Sequence, residues 1–493
     1  MPLLTGPDNQ SVIPVYIDGA TLPLDTSLLI PVRSAHLQKD VHFAQGATPD
    51  HARQAADAAY RAFKSWRSTT FQARRDLLLR VAGNISAREA EFIALQRQET
   101  SCGEPWARFN VGLACRAIRE IASQISNEST GELPPGESNG AFCMVFMEPV
   151  GPVLAIAPWN ASMVLAARAL AAPIGAGCSV VFKASELSPG VHHALVEAFV
   201  DAGLPDGVLN QLQARREDSP AVTEALISHP AIRKIEFTGS ATVGAIIGQL
   251  ASKYLKPVLM ELGGKAPAIV LKDADLERAA QLCATGAFLH HGQICMSTER
   301  IIVVREVADE FSAALKRAVE SQHADGAGFA VSVGVAKRAH SLVADAVKNG
   351  ASFVAGSNQW KGDSNASLEP TIITVVTAKD AIYSEETFGP SATLHVAEDE
   401  DEAIKIANDT PYGLNAAVHS KDVFAALRVA KQLECGQIHI GTMTEYDEST
   451  APIGGAKGSG WGRNNGKYAL REFLVTKTIS LHDPSTHAGF GTH

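Results

Sequence analysis

The middle of the chain alternates strand patterns with helix patterns, and this alternation constrains the fold more than any other feature of the sequence. Short apolar runs typical of buried strands occur at residues 153–158, 179–183, 208–212, 234–237 and 257–262. The stretches between them have the length and apolar content of helices. Such alternation predicts a parallel sheet with helices on both faces, and ligands bind these sheets beyond the carboxyl ends of the strands.

A second alternation runs from residue 266 to about residue 441. It predicts strands at 268–271, 300–304, 352–355, 391–396 and 437–440, and helices at 275–290, 308–319, 337–349, 400–409 and 423–433. A chain of 493 residues also exceeds what one hydrophobic core usually supports, so we expect two or more domains.

The two ends of the chain differ from the alternating middle. Residues 1–48 predict extended segments and turns, and residues 51–128 predict helices, because apolar residues recur there at helical spacing. Residues 474–481 alternate apolar with polar residues, as a strand does. This strand pairs either with another subunit or with an edge of its own domain, and the sequence leaves both open.

Composition and charge argue against several functional classes. The net charge of −10 disfavours nucleic acid or an anionic membrane as the main partner. No run of about 18 apolar residues occurs, and the first residues lack the basic and apolar regions of a secretory signal. The cysteines are scattered and never spaced C-x-x-C, which favours reduced thiols in a cytoplasmic protein over a disulfide frame or a zinc site. We therefore expect no bound metal.

Polar side chains follow three of the predicted strands directly. Lys183 and Glu186 could both reach ribose hydroxyls, although a charged loop end would show the same pattern. Gly239 and Ser240 lie between a strand and a helix, where a helix N-terminus favours a phosphate. Asn160 ends the first strand and could donate its amide N–H to an oxyanion or cap the next helix.

Two well-known phosphate-binding motifs are absent from the sequence. No GxGxxG follows the first strand of the alternation. Residues 264–265 look like the end of a P-loop, but Ala266 follows where that motif needs Ser or Thr. A nucleotide bound to this chain must be held in a less usual way.

Cys295 lies in the sequence GQICMS, between a predicted helix and a predicted strand. A free thiol has a pKa of about 8.5, so catalysis needs a base or a favourable field. His291 is close enough in sequence to suggest a Cys–His hydrolase, although such dyads usually bring the His from far along the chain. Glu261, in the glycine-rich sequence ELGGK, is the other candidate base.

Together these segments resemble the signature segments of the aldehyde dehydrogenase superfamily. The matching motifs are PWN at 158–160, KASE at 183–186, FTGS at 237–240, ELGGK at 261–265, GQIC at 292–295, EETFGP at 385–390, NDTPYGL at 408–414 and GGAKGSGWGR at 454–463. The resemblance covers roughly residues 15–480, and it is highly specific because every motif occurs in the order of the family.

The resemblance implies a role for each matching residue. Cys295 matches the nucleophile, Glu261 the general base, and Asn160, with the backbone N–H of Cys295, the oxyanion hole. Glu386 matches the residue that holds the nicotinamide ribose, and Phe388 the residue that packs on the nicotinamide. The full set of residues expected to bind the cofactor is Lys183, Glu186, Gly239, Ser240, Trp159, Glu386 and Phe388.

The resemblance also implies the fold. It is an α/β protein with a modified Rossmann cofactor domain, a second α/β catalytic domain and a small β oligomerisation flap. Residues 1–127 and 149–262 would form the NAD-binding domain, residues 263–455 the catalytic domain, and residues 128–148 and 470–493 the oligomerisation segment. A homodimer or homotetramer is expected.

The implied reaction is the oxidation of an aldehyde to its carboxylic acid, through a hemithioacetal and a thioester on Cys295. Residues 294–300 look most like the branch that oxidises aromatic aldehydes such as salicylaldehyde, benzaldehyde and vanillin. Candidate substrate-lining residues are Arg168, Val164, Trp106, Ile294 and Met296, with Tyr446 as a further aromatic. Arg168 either meets a phenolate or carboxylate of the substrate or pairs with an acid of the protein.

The sequence leaves alternatives for the cofactor, the substrate and the enzyme class. Glu186 favours NAD, since a carboxylate binds a free 2′-hydroxyl and repels a 2′-phosphate, while Lys183 leaves NADP open. Within the class, an aliphatic aldehyde or semialdehyde is the rival substrate. The rival of another class is a Cys-dependent esterase, which would use His291 and need no cofactor.

Overall fold

The computed structural model describes residues 1–136, 141–322 and 326–482 of the chain. The strands in chain order are β1 Leu4–Thr5, β2 Ser11–Ile13, β3 Tyr16–Ile17, β4 Ala20–Thr21, β5 Leu29–Ser34, β6 Lys39–Gln45, β7 Ala141–Pro149, β8 Val153–Ile156, β9 Val180–Lys183, β10 Leu209–Leu212, β11 Lys234–Thr238, β12 Val258–Glu261, β13 Ala266–Val270, β14 Thr298–Val304, β15 Ser352–Ala355, β16 Thr371–Thr374, β17 Ser391–Ala397, β18 Asn415–His419, β19 Gln437–Ile440, β20 Gly460–Trp461 and β21 Leu474–His482. The α-helices are α1 Pro49–Trp66, α2 Phe71–Ala87, α3 Glu89–Thr100, α4 Glu104–Glu128, α5 Ser162–Ala176, α6 Pro189–Asp201, α7 Ser219–Ser228, α8 Ala241–Lys253, α9 Leu276–Phe288, α10 Ala308–Gln322, α11 Val333–Lys348, α12 Ala381–Ser384, α13 Glu400–Asn408, α14 Val423–Ala430 and α15 Gly466–Glu472.

The first large sheet has the strand order β20-β12-β11-β8-β9-β10-β3-β4. Strands β8 to β12 pair in parallel and are almost entirely buried, because helices cover both faces. The chain winds outward from β8 to β9 and β10, and then returns to add β11 on the other side of β8. The strand order therefore reverses between β8 and β11, which is where doubly wound sheets bind ligands.

The second large sheet has the order β15-β16-β17-β14-β13-β18-β19 and is parallel except for the β15–β16 pair. The expected α/β fold with two largely parallel sheets is thus confirmed. Two strands of the second sheet, β16 and β18, were not predicted from the sequence. The predicted helix at 275–290 ends instead at Phe288, because the chain folds into a tight turn over Leu289–Gly292.

Strands β7 and β21 form a separate two-stranded ribbon. Strands β7 and β21 pair antiparallel along their whole length, from Leu474 opposite Pro149 to His482 opposite Ala141. The tail strand therefore pairs within its own chain. Phe142 and Leu481 on this ribbon are 65% and 61% exposed, which leaves an apolar surface uncovered in the single chain.

The domain boundaries given above stay predictions. Residues 137–140 and 483–493 of the predicted oligomerisation segment lie outside the described residues. Strand β20, which follows the predicted catalytic stretch, joins the first sheet beside β12. Among the described helices, none has both the length and the apolar content needed to cross a membrane.

Candidate active site

Cys295 is presented by a sharp turn between α9 and β14. Within Leu289–Gly292, both histidines have left-handed backbone conformations, with φ of 51° at His290 and 60° at His291. Gly292 also has a positive φ of 69°, and a Cβ there would lie 2.2 Å from the carbonyl oxygen of Gly389. Only glycine fits at that point, so the turn brings the cysteine segment against the 385–390 segment.

Glu261 ends β12, and the two glycines that follow it let three segments converge. A Cβ on Gly263 would lie 2.4 Å from a carboxylate oxygen of Glu386, and one on Gly264 would lie 2.4 Å from the carbonyl oxygen of Cys295. The backbone N–H of Gly264 donates to Glu386 Oε1 at 3.0 Å. The glycines of ELGGK are therefore required by close packing between Glu386 and the cysteine turn.

Asn160 is held beside the same turn. Its side-chain amide donates from Nδ2 to the carbonyl oxygen of Gln293 at 2.9 Å. The indole N–H of Trp106 donates to the backbone oxygen of Asn160 at 3.1 Å. These bonds fix the amide of Asn160 next to Cys295, where the sequence predicted an oxyanion-binding group.

Burial controls the protonation of the two central groups. Burial raises the pKa of the Cys295 thiol well above its usual value, Glu386 and Glu261 raise it further, and Arg168 opposes them. Burial also raises the pKa of Glu261 to about 8, again opposed by Arg168. At neutral pH in this state, most Glu261 side chains therefore carry a proton.

The two histidines before Cys295 do not act on its thiol. Nε2 of His291 accepts a hydrogen bond from the backbone N–H of Leu368 at 3.1 Å. His290 stacks on the indole of Trp106 with ring centroids 5.3 Å apart. Burial lowers the pKa of each imidazole to about 3, so both are neutral. Among the described residues, neither imidazole hydrogen-bonds the thiol of Cys295, which argues against the hydrolase alternative.

A cavity of about 1040 Å³ extends from Cys295 to the carboxyl ends of β9 and β11. The predicted site residues that line it are Cys295, Glu261, Asn160, Trp159, Glu186, Gly239, Ser240, Glu386 and Phe388. Ser240 caps α8 by accepting from the backbone N–H of Val243, so the cavity meets a helix N-terminus of the kind that binds phosphates. Lys183 lies outside the lining, buried at the end of β9, and burial lowers its pKa while Glu186 opposes the shift.

The 385–390 segment is fastened by a buried ion pair that the sequence did not reveal. Lys265 Nζ lies 2.6 Å from Glu299 Oε2, and both side chains are almost fully buried. Glu299 also accepts from the backbone N–H groups of Thr387 and Phe388. Lys265 is therefore a structural residue and not a P-loop lysine. Glu299 positions Phe388, whose ring contacts Trp159 edge-on with centroids 5.9 Å apart.

Arg168 forms an ion pair with Asp447, and both side chains are almost fully buried. Asn465 Nδ2 donates to the other oxygen of Asp447 at 3.0 Å. Of the two roles suggested for Arg168, pairing with an acid of the protein is the one present here. Sequence reasoning missed Asp447, because nothing local signals a partner 279 residues away.

The other candidate substrate-lining residues do not line this cavity. Val164 and Ile294 lie in the hydrophobic core formed largely by α2 to α6, and Met296 packs against that core. Trp106 is 8% exposed, and Tyr446 is 41% exposed with its hydroxyl on Glu448. Leu165, which was not predicted, is the α5 residue that lines the cavity.

Comparison with known proteins agrees with this geometry. Residues 25–479 match the model of the aldehyde dehydrogenase family. The chain is 41% identical over 482 residues to a vanillin dehydrogenase of Pseudomonas fluorescens, covering 96% of this chain and 99% of the relative. It is also 41% identical to a salicylaldehyde dehydrogenase of Pseudomonas putida, covering 88% of this chain and 91% of the relative.

Two solved structures are similar over nearly the whole chain. One is a salicylaldehyde dehydrogenase from Pseudomonas putida G7 complexed with salicylaldehyde, with a TM-score of 0.93, 38% identity, and coverage of 97% of this chain and 100% of that chain. The other is a betaine aldehyde dehydrogenase from Staphylococcus aureus in complex with NAD+, with a TM-score of 0.92, 29% identity, and coverage of 98% and 97%. The expected resemblance is confirmed: this chain belongs to the aldehyde dehydrogenase family.

Proposed function

We propose that the chain oxidises aromatic aldehydes to carboxylic acids with NAD, using Cys295 as the nucleophile and Glu261 as the base. The observation that carries this proposal is the shared cavity, which joins Cys295, Glu261 and Asn160 at one end to Glu186 and Ser240 at the other. A thiol, a base and an oxyanion donor suit acyl chemistry, and the far end suits a nucleotide.

The residues present fit a nicotinamide dinucleotide. The capped N-terminus of α8 offers backbone N–H groups to a pyrophosphate, and Glu186 offers a carboxylate to a ribose hydroxyl. Glu386, already bonded to the backbone N–H of Gly264, would hold the second ribose. We assign NAD over NADP, because Glu186 lines the cavity while Lys183 is buried outside its lining. The NAD+ complex of the similar betaine aldehyde dehydrogenase supports this assignment.

The first half of the reaction makes a thioester. The Cys295 thiol releases its proton to solvent, and the thiolate adds to the aldehyde carbon. Negative charge grows on the aldehyde oxygen, where the Asn160 amide and the backbone N–H of Cys295 would stabilise it. Loss of one such donor typically costs ~3 kcal/mol of transition-state stabilisation. The chemistry that NAD supplies when bound is acceptance of a hydride from the adduct carbon, which leaves a thioester on Cys295.

The second half hydrolyses the thioester. Glu261 takes a proton from a water molecule, and the resulting hydroxide attacks the acyl carbon and expels the Cys295 thiolate. A carboxylate with a pKa of about 8 is a stronger base than an ordinary Glu, which suits it to this step. Arg168 lowers the pKa of both Glu261 and Cys295, so it favours the charged form of each group.

An aromatic substrate is supported by the relatives and by the surroundings of Cys295. The relatives with 41% identity are named for vanillin and salicylaldehyde. Trp159 and Leu165 line the cavity near Cys295 with an aromatic and an apolar side chain. An aliphatic aldehyde or a semialdehyde remains the rival substrate.

We further propose that the β7–β21 ribbon joins subunits into a homodimer or homotetramer. Its exposed apolar side chains include Phe142, Phe146, Val475, Ile479 and Leu481. Apolar patches of this kind mark protein–protein contacts in soluble proteins. A cytoplasmic location stays a prediction, supported by seven cysteines that are all free thiols.

The test is NADH formation from a panel of aldehydes at matched concentrations: salicylaldehyde, benzaldehyde, vanillin, hexanal and succinic semialdehyde. We expect kcat/KM to be at least about tenfold higher for the aromatic members. Higher values for hexanal or the semialdehyde would contradict the aromatic assignment. Hydrolysis of an aryl ester with no NADH from any aldehyde would instead indicate an esterase.

A matched variant separates chemistry from binding. Cys295→Ala should abolish NADH formation while quenching of tryptophan fluorescence by NAD+ still reports binding. Retained oxidation in that variant would remove Cys295 from its assigned role.

A further inference from the structure

Glu236 is a buried carboxylate on β11 to which the mechanism above gives no role. It is 1% exposed, and its Oε2 has no hydrogen-bond partner among the described residues. Its other contact is the side-chain amide of Asn464, which hydrogen-bonds the carboxylate. An unpaired carboxylate oxygen in a protein core is costly, so a role that repays it is expected.

The sheet register places Glu236 on the same face as Glu261. In the parallel pair of β11 and β12, Thr238 lies opposite Glu261 and Glu236 lies opposite Leu259. Because side chains alternate along a strand, Glu236 and Thr238 point to one face, which Glu261 shares. Glu236 is close enough to Glu261 to raise its pKa. Glu261 also has a buried oxygen, Oε1, without a partner among the described residues.

A charged pair on the same face connects Glu236 with solvent. Lys234 precedes Glu236 by two residues, and its Nζ lies 2.6 Å from Glu472 Oε2 and donates to the backbone oxygen of Glu472. The side chain of Lys234 is 8% exposed and that of Glu472 is 26% exposed. Along this face of β11, Glu236 therefore lies between the level of Glu261 and Lys234, whose partner Glu472 is partly exposed.

We propose that Glu236 is a proton-relay residue that takes from Glu261 the proton removed from the hydrolytic water. The proposal rests on the assignment of Glu261 as the deacylation base. In each turnover one proton moves from the carboxyl group of Glu261 to the carboxylate of Glu236. Glu261 becomes a carboxylate, Glu236 becomes a carboxylic acid, and no other bond changes. Glu236 then passes the proton to Glu472, and Glu472 releases it to water. Glu236 touches neither substrate nor cofactor, so it acts only through Glu261.

The charges around Glu236 favour such a relay. Burial raises its pKa to about 7, while Lys234, Asn464 and Arg168 lower the pKa and Glu472 raises it. The pKa of Glu261 is about 8, so neither carboxyl group holds the shared proton much more tightly than the other. Transfer between groups of similar pKa is fast in either direction.

The experiment compares the NADH burst with the steady rate in Glu236→Gln. The burst counts folded, acylating sites, whereas the steady rate reports deacylation. We expect an unchanged burst amplitude, a steady rate reduced at least about tenfold below pH 8, and partial recovery with a small buffer base such as imidazole. Glu236→Asp, which keeps the carboxyl group, should restore part of the rate if the glutamine variant folds poorly.

Two outcomes would overturn the relay. A steady rate and pH profile equal to those of the unmodified protein would show that the proton leaves by another route. A lost burst in a folded Glu236→Gln protein would show that the residue serves acylation instead. Glu99→Gln, which alters a buried carboxylate that binds the N-terminus of α6, should lower thermal stability without changing the ratio of burst to steady rate. Absence of NADH formation from any aldehyde in the unmodified protein would instead reject the proposed function.

Discussion

The protonation of Glu261 makes a quantitative prediction about the pH dependence of turnover. Burial raises the pKa of Glu261 from its ordinary value of 4.5 to about 8, which corresponds to roughly 5 kcal/mol against the charged form. With a pKa of about 8, about one Glu261 in ten is ionised at pH 7 and about one in a hundred at pH 6. Only the ionised form can take a proton from water.

The assay is rapid mixing of the enzyme with NAD+ and salicylaldehyde across this pH range. We expect the steady rate after the burst to rise about tenfold between pH 6 and pH 7 and to level off above pH 8, because a single carboxyl group titrates. In Glu261→Gln the burst should persist, while the steady rate should fall by about 10² to 10⁴ and lose this pH dependence. A steady rate that is flat below pH 8, or unchanged in the variant, would refute the assignment of Glu261.

Stability gives an independent check on the same pKa. Between about pH 4.5 and pH 8 the folded protein keeps a proton on Glu261 that the unfolded chain has released. The folded state binds more protons there, so this contribution to stability is lost as the pH rises. Glu261→Gln removes the penalty, and the Tm of the variant relative to the unmodified protein should therefore increase from pH 5 to pH 8. An equal Tm difference at both pH values would contradict the raised pKa.

Three further predictions follow from packing and charge. Gly264→Ala should lower kcat by about 10² in steady-state kinetics, because a Cβ 2.4 Å from the carbonyl oxygen of Cys295 must displace the nucleophile. An unchanged kcat would show that the cysteine turn can shift to make room for the Cβ without loss of activity. Asp447→Asn leaves the charge of Arg168 buried without its counter-ion. It should lower the free energy of unfolding, measured with denaturant, by about 3–5 kcal/mol. A decrease of less than about 1 kcal/mol, which is typical of an exposed pair, would contradict the burial of the Arg168–Asp447 pair. Ile479→Glu on the exposed ribbon should reduce the assembly to smaller species in light scattering while the circular dichroism stays the same; an unchanged mass would remove the ribbon from the interface.

The alternating middle of the chain was predictable because its strands are buried on both faces. Runs such as β8 and β13 are continuous and apolar, and the helices between them are rich in apolar residues. Strands β16 and β18 escaped prediction for different reasons. The residues of β16 follow a turn-rich stretch, and those of β18, NAAVH, include two alanines that favour helix over strand.

The catalytic residues were predictable because their motifs are local, whereas their supports were not. Cys295 and Glu261 each lie in a short segment whose glycines are required by close contacts. Asp447 and Glu299 act on residues far away in sequence, so only the folded chain reveals them. Glu236 was read from the sequence only as part of a strand, and its position on the face of Glu261 depends on the register of β11 with β12.

The short strand β20 has a consequence for how this protein is made. It covers the outer edge of β12, with Gly460 opposite Glu261, yet it is separated from β12 by the whole second sheet. While the chain is being synthesised, the strand that carries the base stays an open edge until almost all of the polypeptide has left the ribosome. A nascent chain stopped before residue 460 would therefore expose an unpaired strand, the kind of edge on which chaperones act and aggregates grow.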